Sequence, residues 1–180
     1  MTADSETILV VDDDESIADL YARWLDTYNV LTAYGGEEAL ELLDSSIDIV
    51  VLDRRMPAVS GDDVLETLDA RDLDCLVVIV TAVDPEFDVV ELTFDEYVTK
   101  PVLREELQEA VETVRARDTD DDLHREYHSL LAKRAVLESE MQPSELKHDE
   151  DYIALCDRLE TIAETLEADE ATLGQSDEGQ

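Results

Sequence analysis

Five residues spread along a chain of 180 could together hold a metal ion and accept a phosphoryl group. Asp12 and Asp13 close one apolar run, Asp53 closes a second, Thr81 a third, and Lys100 with Pro101 follows a fourth. Brought together, three carboxylates repel one another, and their pKa values rise unless something positive joins them. A hard divalent cation suits such a set, because Mg²⁺ takes a few carboxylate oxygens and keeps several waters. Beside it, Asp53 has the chemistry of a carboxylate nucleophile toward phosphorus, giving an aspartyl phosphate. The Lys100 ammonium would neutralise the equatorial oxygens of the transferring group. The Thr81 hydroxyl would hydrogen-bond one of those oxygens, and the small Ala82 leaves space beside it. Any one Asp reads equally well as a turn or cap, and Asp14 reads as the cap of a helix containing Ile17. The set of five at the ends of apolar runs calls for a common function.

Such a set needs a scaffold that gathers it. Between 7 and 117, continuous apolar runs rich in β-branched residues alternate with helical patterns. The runs 7–11, 30–33, 47–52, 75–80 and the weaker 96–98 read as buried parallel strands. Helical faces lie between them: Ile17, Leu20, Tyr21 and Trp24; Ala39, Leu42 and Leu43; Val64, Leu65 and Leu68; then Leu103, Leu107, Ala110, Val111 and Val114. Strands each followed by a helix indicate a doubly wound α/β sheet with few allowed strand orders. Ligands bind such sheets at the carboxyl ends of the strands, where the candidate residues sit.

Residues 1–6 read as an N-terminal tail and 118–122 (DTDDD) as an acidic linker or helix start. From 123 to 172 the pattern is an α-helical hairpin. Leu123, Tyr127, Leu130, Arg134, Leu137 and Met141 share one seam; Tyr152, Cys156, Leu159, Ala163 and Leu166 share another; Pro143 and Ser144 mark the turn. Two short helices bury little alone, so the hairpin must pack on the first domain or on a second copy of the chain, as a homodimer. Residues 173–180 read as a disordered tail.

The chain carries 49 acidic and 13 basic residues, a net charge of −36 spread over its whole length. With 44% apolar residues it can still build a core. At molar salt the screening length falls to about 3 Å and the self-repulsion largely vanishes, so the composition is that of a halophile's cytoplasmic protein. Residues 1–118 carry net −23 and residues 119–180 net −13, without a basic cluster, which disfavours nucleic-acid binding through phosphates. No apolar run reaches the length of a membrane span, and no basic, then apolar, leader opens the sequence. Cys75 and Cys156 stand alone and read as reduced thiols. His124 and His128 lie four apart without an HExxH motif and read as solvated; His148 before Asp149 is set aside as a phosphoacceptor histidine, because it sits near the turn with no kinase or ATP motif after it. No phosphate-binding Gly-rich loop is present in the sequence.

Residues 7–117 resemble the receiver domain of two-component response regulators through ILVVDDDES, VVLDRRMPAVSGDDVL, VIVTA and DEYVTKPV. The resemblance implies a flavodoxin-like five-stranded sheet in the order 2-1-3-4-5. It implies phosphorylation at Asp53 by a sensor histidine kinase, with Mg²⁺ held by Asp13, Asp53 and the Arg55 backbone carbonyl, and by Asp12 largely through water. Thr81 matches the switch hydroxyl, Lys100 the family's lysine, and Tyr97 the aromatic that turns inward on activation, a plain surface tyrosine being the alternative. Such a protein is a phosphoacceptor in signalling and no enzyme beyond self-phosphorylation and autodephosphorylation. A phosphatase of the haloacid dehalogenase type is set aside, because Arg55 stands where that family needs an Asp. Residues 123–168 resemble the HalX domain of haloarchaeal regulators. The expected output is an interaction surface passed on through the hairpin; the alternative is a DNA-binding transcriptional regulator with the HalX-like region as output domain.

Two departures from the receiver pattern stand out. Only 18 residues separate Thr81 from Lys100, so the fourth receiver helix is expected to be short or remodelled, which unsettles the family's common dimer face. Arg54 and Arg55 follow the acceptor, where long cationic chains could attract phosphodonors or obstruct water; Arg55 is the expected determinant of phosphate lifetime.

Overall fold

The computed structural model describes residues 5–82, 84–117 and 121–175. They form two units, Met1–Asp84 with Glu91–Asp118, and Pro85–Val90 with Thr119–Gln180. The first unit holds five parallel strands in the order β2-β1-β3-β4-β5, as the resemblance implied. They are β1 (Thr7–Val11), β2 (Asn29–Ala33), β3 (Ile49–Leu52), β4 (Leu76–Thr81) and β5 (Glu96–Thr99). The helices are α1 (Glu15–Trp24), α2 (Gly36–Leu42), α3 (Gly61–Ala70) and α4 (Arg104–Ala116).

Every residue of β3 and β4 is buried, which is why these runs are continuously apolar. Side chains alternate between the sheet's faces. Ile8, Val10, Ile49, Val51, Val78 and Val80 join Ala18, Tyr21 and Leu25 of the α1 segment and Leu107, Val111 and Val114 of α4 in one core. Strand limits move by one or two residues from the apolar runs. Ile47 and Asp48 precede β3, and the Asp48 carboxylate takes the Thr7 backbone N–H at 2.7 Å, beside the start of the ladder. Asp14 caps α1 as expected, accepting from Ser16 and Ile17 backbone N–H groups at 2.9 and 3.3 Å.

After β4 the expected short helix is a single 3-10 turn, Phe87–Val90. Asp84–Pro85 keeps a helix from beginning earlier, since the residue before a proline is pushed out of helical conformation. This turn belongs to the second unit, with α5 (Asp122–Glu140), α6 (Pro143–Leu146) and α7 (Glu150–Gln175). The acidic break resolves in favour of a helix start: Asp121 accepts from the Leu123 N–H at 2.9 Å and caps α5. Residues 118–120 lie outside the described residues. The Pro143–Ser144 turn is itself one helical turn, with Pro at a position that needs no N–H donor.

The hairpin forms, but its seams are corrected. Buried positions are Ala132, Lys133, Val136 and Leu137 on α5 and Leu155, Leu159 and Ile162 on α7. Only Leu137 and Leu159 belong to the expected seams. On α7 the line has slipped by one residue, putting the bulky Leu155 and Ile162 inside in place of Cys156 and Ala163. Larger aliphatic area removed from water decides that choice. The arms are also tied by Arg158, whose Nε and Nη2 each donate to the Glu126 carboxylate at 2.7 Å. The tail boundary at 173 is corrected as well, because α7 continues to Gln175; 176–180 lie outside the described residues. Cys75 and Cys156 are unbridged thiols. Among the described residues no helix is long and apolar enough to cross a membrane.

Candidate functional site

The parallel register builds the site. Val11 pairs with Leu52 and Leu52 with Ile79, so Asp12 and Asp53 leave neighbouring strands at one level. Thr81 and Thr99 pair at the end of the β4–β5 ladder, and Lys100 follows directly, its N–H donating to the Thr81 carbonyl at 2.8 Å. Distant residues thereby meet. The Lys100 Nζ lies 2.5 Å from Asp12 Oδ2 and 3.2 Å from Asp53 Oδ2. Asp12, Asp13 and Asp53 each bring a carboxylate oxygen within 4.8 Å of the others. Asp12 and Asp53 are buried and Asp13 is exposed, so the group opens to solvent on one side.

The donor set fits a hard divalent cation. Around an ion with oxygens at about 2.1 Å, neighbouring ligands stand roughly 3–4 Å apart, a spacing these carboxylates can reach. Burial, the largest influence, raises the Asp12 carboxyl above its ordinary range, although the Lys100 ammonium and the Asp14 N–H pull the other way. For Lys100, burial pulls the ammonium down, but the Asp12 hydrogen bond and the charges of Asp53 and Asp12 outweigh it and raise its pKa. The lysine stays cationic between two carboxylates.

The remaining residues named for the site differ in burial. Thr81 is fully buried and Ala82 exposed. Tyr97 is 8% exposed with its ring 5.6 Å from that of Phe94, which overturns the surface-tyrosine alternative. The Arg55 N–H donates to Asp53 Oδ1 at 3.3 Å while its side chain is exposed. Arg54 behaves otherwise and corrects the reading of two cationic chains at the acceptor. It is 6% exposed, and its Nε and Nη2 each donate to the Asp62 carboxylate at 3.0 Å. The pair straps the loop after β3 to the first turn of α3. Sequence reasoning missed it; the signal was an acid in that first turn, eight residues on.

Gly61 is required here for space. Its N–H donates to the Arg54 carbonyl at 2.7 Å. A Cβ there would lie 2.6 Å from the Arg54 Cα and closer still to the Asp53 carbonyl oxygen. Both obstacles are backbone, so relief means moving the chain just beyond the end of β3. Gly61→Ala is expected to lower the unfolding free energy by about 2 kcal/mol or more, measured by urea titration at molar KCl. An unchanged midpoint would show that the loop yields freely.

Comparison with known proteins agrees with this geometry. The response regulator receiver domain model matches residues 8–112, and the HalX domain model matches 116–178. A Haloferax volcanii protein whose name proposes a transcriptional regulator is 47% identical over 168 residues, covering 92% of this chain and 29% of that protein. Response regulator SaeR of Staphylococcus epidermidis is 38% identical over 105 residues, covering 56% of this chain and 46% of its own. Among solved structures, the non-phosphorylated HemR receiver domain from Leptospira biflexa aligns with a TM-score of 0.60 at 29% identity, covering 64% of this chain and 98% of that one. The chain thus spans less than half the length of these two curated relatives.

Proposed function

The chain belongs to the response regulator receiver family, with a HalX domain after the receiver, and on that premise we propose that Asp53 accepts a phosphoryl group from a sensor histidine kinase and thereby switches an output carried by the helical hairpin. The carrying observation is the Lys100 ammonium, 2.5 Å from Asp12 and 3.2 Å from Asp53, inside a group of three carboxylates. Asp13 and Asp53, with the Arg55 carbonyl, would hold Mg²⁺, and Asp12 would act largely through water. The ion supplies charge neutralisation for the phosphoryl oxygens.

The protein's own groups account for the remaining steps. An Asp53 oxygen attacks phosphorus, the donor's leaving group departs, and Lys100 balances the added negative charge. The new dianion draws the Thr81 hydroxyl and the Lys100 ammonium toward it. Tyr97 takes up the space that Thr81 leaves, so β4 and β5 carry two discrete arrangements. The protein is a signalling phosphoacceptor of the cytoplasm rather than an enzyme. The deciding experiment is mass-resolved phosphorylation with and without Asp53.

Arg55 is the exposed cation next to the acceptor, now that Arg54 is accounted for. Arg55→Ala is expected to change the dephosphorylation rate of the aspartyl phosphate by about threefold or more, followed by intact-protein mass after donor removal. An unchanged rate would take phosphate lifetime away from Arg55.

The Haloferax volcanii relative's name favours a second reading, a transcriptional regulator. A net charge of −13 over residues 119–180, without a basic recognition helix, speaks against direct DNA contact by this region. Acting on a protein partner, or on a second copy through the C-terminal helices, fits that surface better.

A further inference from the structure

The sequence contains three lysines, Lys100, Lys133 and Lys147. Lys100 is explained by the carboxylates. Lys133, on α5, is 8% exposed, which is costly for an ammonium unless polar groups meet it. Its Nζ donates to the Val90 carbonyl at 2.9 Å. That carbonyl ends the Phe87–Val90 turn, and the ammonium gives it a charge-assisted hydrogen bond. The same segment carries buried apolar side chains: Val89 is fully buried and Pro85 buried, and both are grouped with the second unit.

The position of this segment in the chain gives Lys133 its meaning. Residues 85–90 are grouped with the hairpin, yet they are threaded between the receiver's two switch residues. Pro85 follows Thr81 by four residues, a stretch that spans at most about 14 Å. Tyr97 follows Val90 by seven. A displacement of Thr81 and a repacking of Tyr97 therefore pull on both ends of a segment whose body the hairpin holds. A change in the Lys133–Val90 bond would let α5 register the state.

Resting on the phosphoacceptor reading above, we propose that the face of α5 around Lys133 is the hairpin's reading surface for the receiver, and that residues 85–90 are its occupant. In the unphosphorylated chain the Lys133 ammonium holds the Val90 carbonyl. Phosphorylation at Asp53 shifts the segment, the bond is exchanged for water, and the α5 stretch containing Ala132, Val136 and Leu137 loses its cover. Lys133 is a positioning residue; it does not touch the reacting atoms.

The test is amide hydrogen exchange read by mass spectrometry on the full chain in molar KCl, with Mg²⁺, before and after acetyl phosphate. On phosphorylation, exchange in 86–90 and in 129–137 is expected to rise about tenfold or more. In Lys133→Met, which keeps the aliphatic stem, the two stretches should already exchange fast, and phosphorylation should add little in 129–137. Lys133→Arg, which keeps a cation, should restore the wild-type response. Intact mass on the same samples separates the two failures. A chain that gains no phosphoryl mass overturns the phosphoacceptor reading, and this proposal with it. A chain that gains the mass with unchanged exchange in both stretches overturns this proposal alone. The wild-type comparison decides by itself, even where Lys133→Met does not fold.

Discussion

Asp53→Asn is expected to gain no phosphoryl mass from acetyl phosphate and Mg²⁺ in molar KCl, under conditions where the wild-type chain gains one. Asparagine keeps the size of the side chain and one carbonyl oxygen for the Arg55 N–H, giving up the second oxygen that meets Lys100; folding should survive that loss, while the anionic nucleophile is removed. The geometry also favours Asp53 over its buried neighbour as the proposed acceptor. Both Asp12 oxygens are engaged by short bonds, one to the Asp14 N–H at 2.9 Å and one to Lys100 at 2.5 Å. The Asp53 oxygens meet longer partners, at 3.3 Å from Arg55 and 3.2 Å from Lys100. Lone pairs on Asp53 are the more available to attack phosphorus. Chelation of the divalent ion should abolish wild-type uptake as well, since three converging carboxylates otherwise repel an anionic donor. Wild-type uptake by Asp53→Asn would move the acceptor to Asp12 or Asp13 and dismiss the assignment.

The gathering of these residues was legible in the sequence because strand ends are legible. Continuous apolar runs that terminate in Asp12 and Asp53 fix which residues leave the sheet at its carboxyl edge, and the parallel register then brings them together. Lys100 followed from the same logic on β5. Arg54 was misread, because a charge pattern shows which groups are cationic but not which carboxylate folds back onto them. Asp62 reaches it only through the turn that Gly61 permits. In the hairpin, the heptad spacing gave two helices and their pairing but missed the line of contact by one residue. At a spacing of alternating three and four, Cys156 and Leu155 are both admissible, and side-chain volume decides between them. The role of Lys133 was hidden for a different reason. Its partner is a backbone carbonyl 43 residues away, in a segment whose removal from the receiver is invisible to periodicity.

Dialysis from molar KCl into dilute buffer is expected to unfold the protein, and the second unit first. With 49 acids against 13 bases, most carboxylates have no protein cation to pair with. Several of the cations are already committed locally, as Arg54 is to Asp62 and Arg158 to Glu126. At about 10 mM salt the screening length is roughly 30 Å, so carboxylates across a whole unit repel one another; at about 1 M it is roughly 3 Å and only neighbours do. α7 concentrates the effect: Glu160, Glu164 and Glu167 follow at helical spacing on one side, and Arg158 is the helix's lone base. The core opposing this repulsion is smaller than the receiver's, resting on Val89, Ala132, Val136, Leu137, Leu146, Leu155, Leu159 and Ile162 among the described residues. Two probes should therefore separate as salt falls. Far-UV ellipticity, weighted toward α5 and α7, should drop before the emission of Trp24, the chain's sole tryptophan, which packs 5.5 Å from Tyr21 on the receiver core. Sucrose, which strengthens burial without screening charge, should fail to replace KCl. Full ellipticity in dilute buffer would remove the screening argument. Coincident loss by both probes would instead make the two units one cooperative structure, and the unequal charge density of α7 would then have no separate consequence.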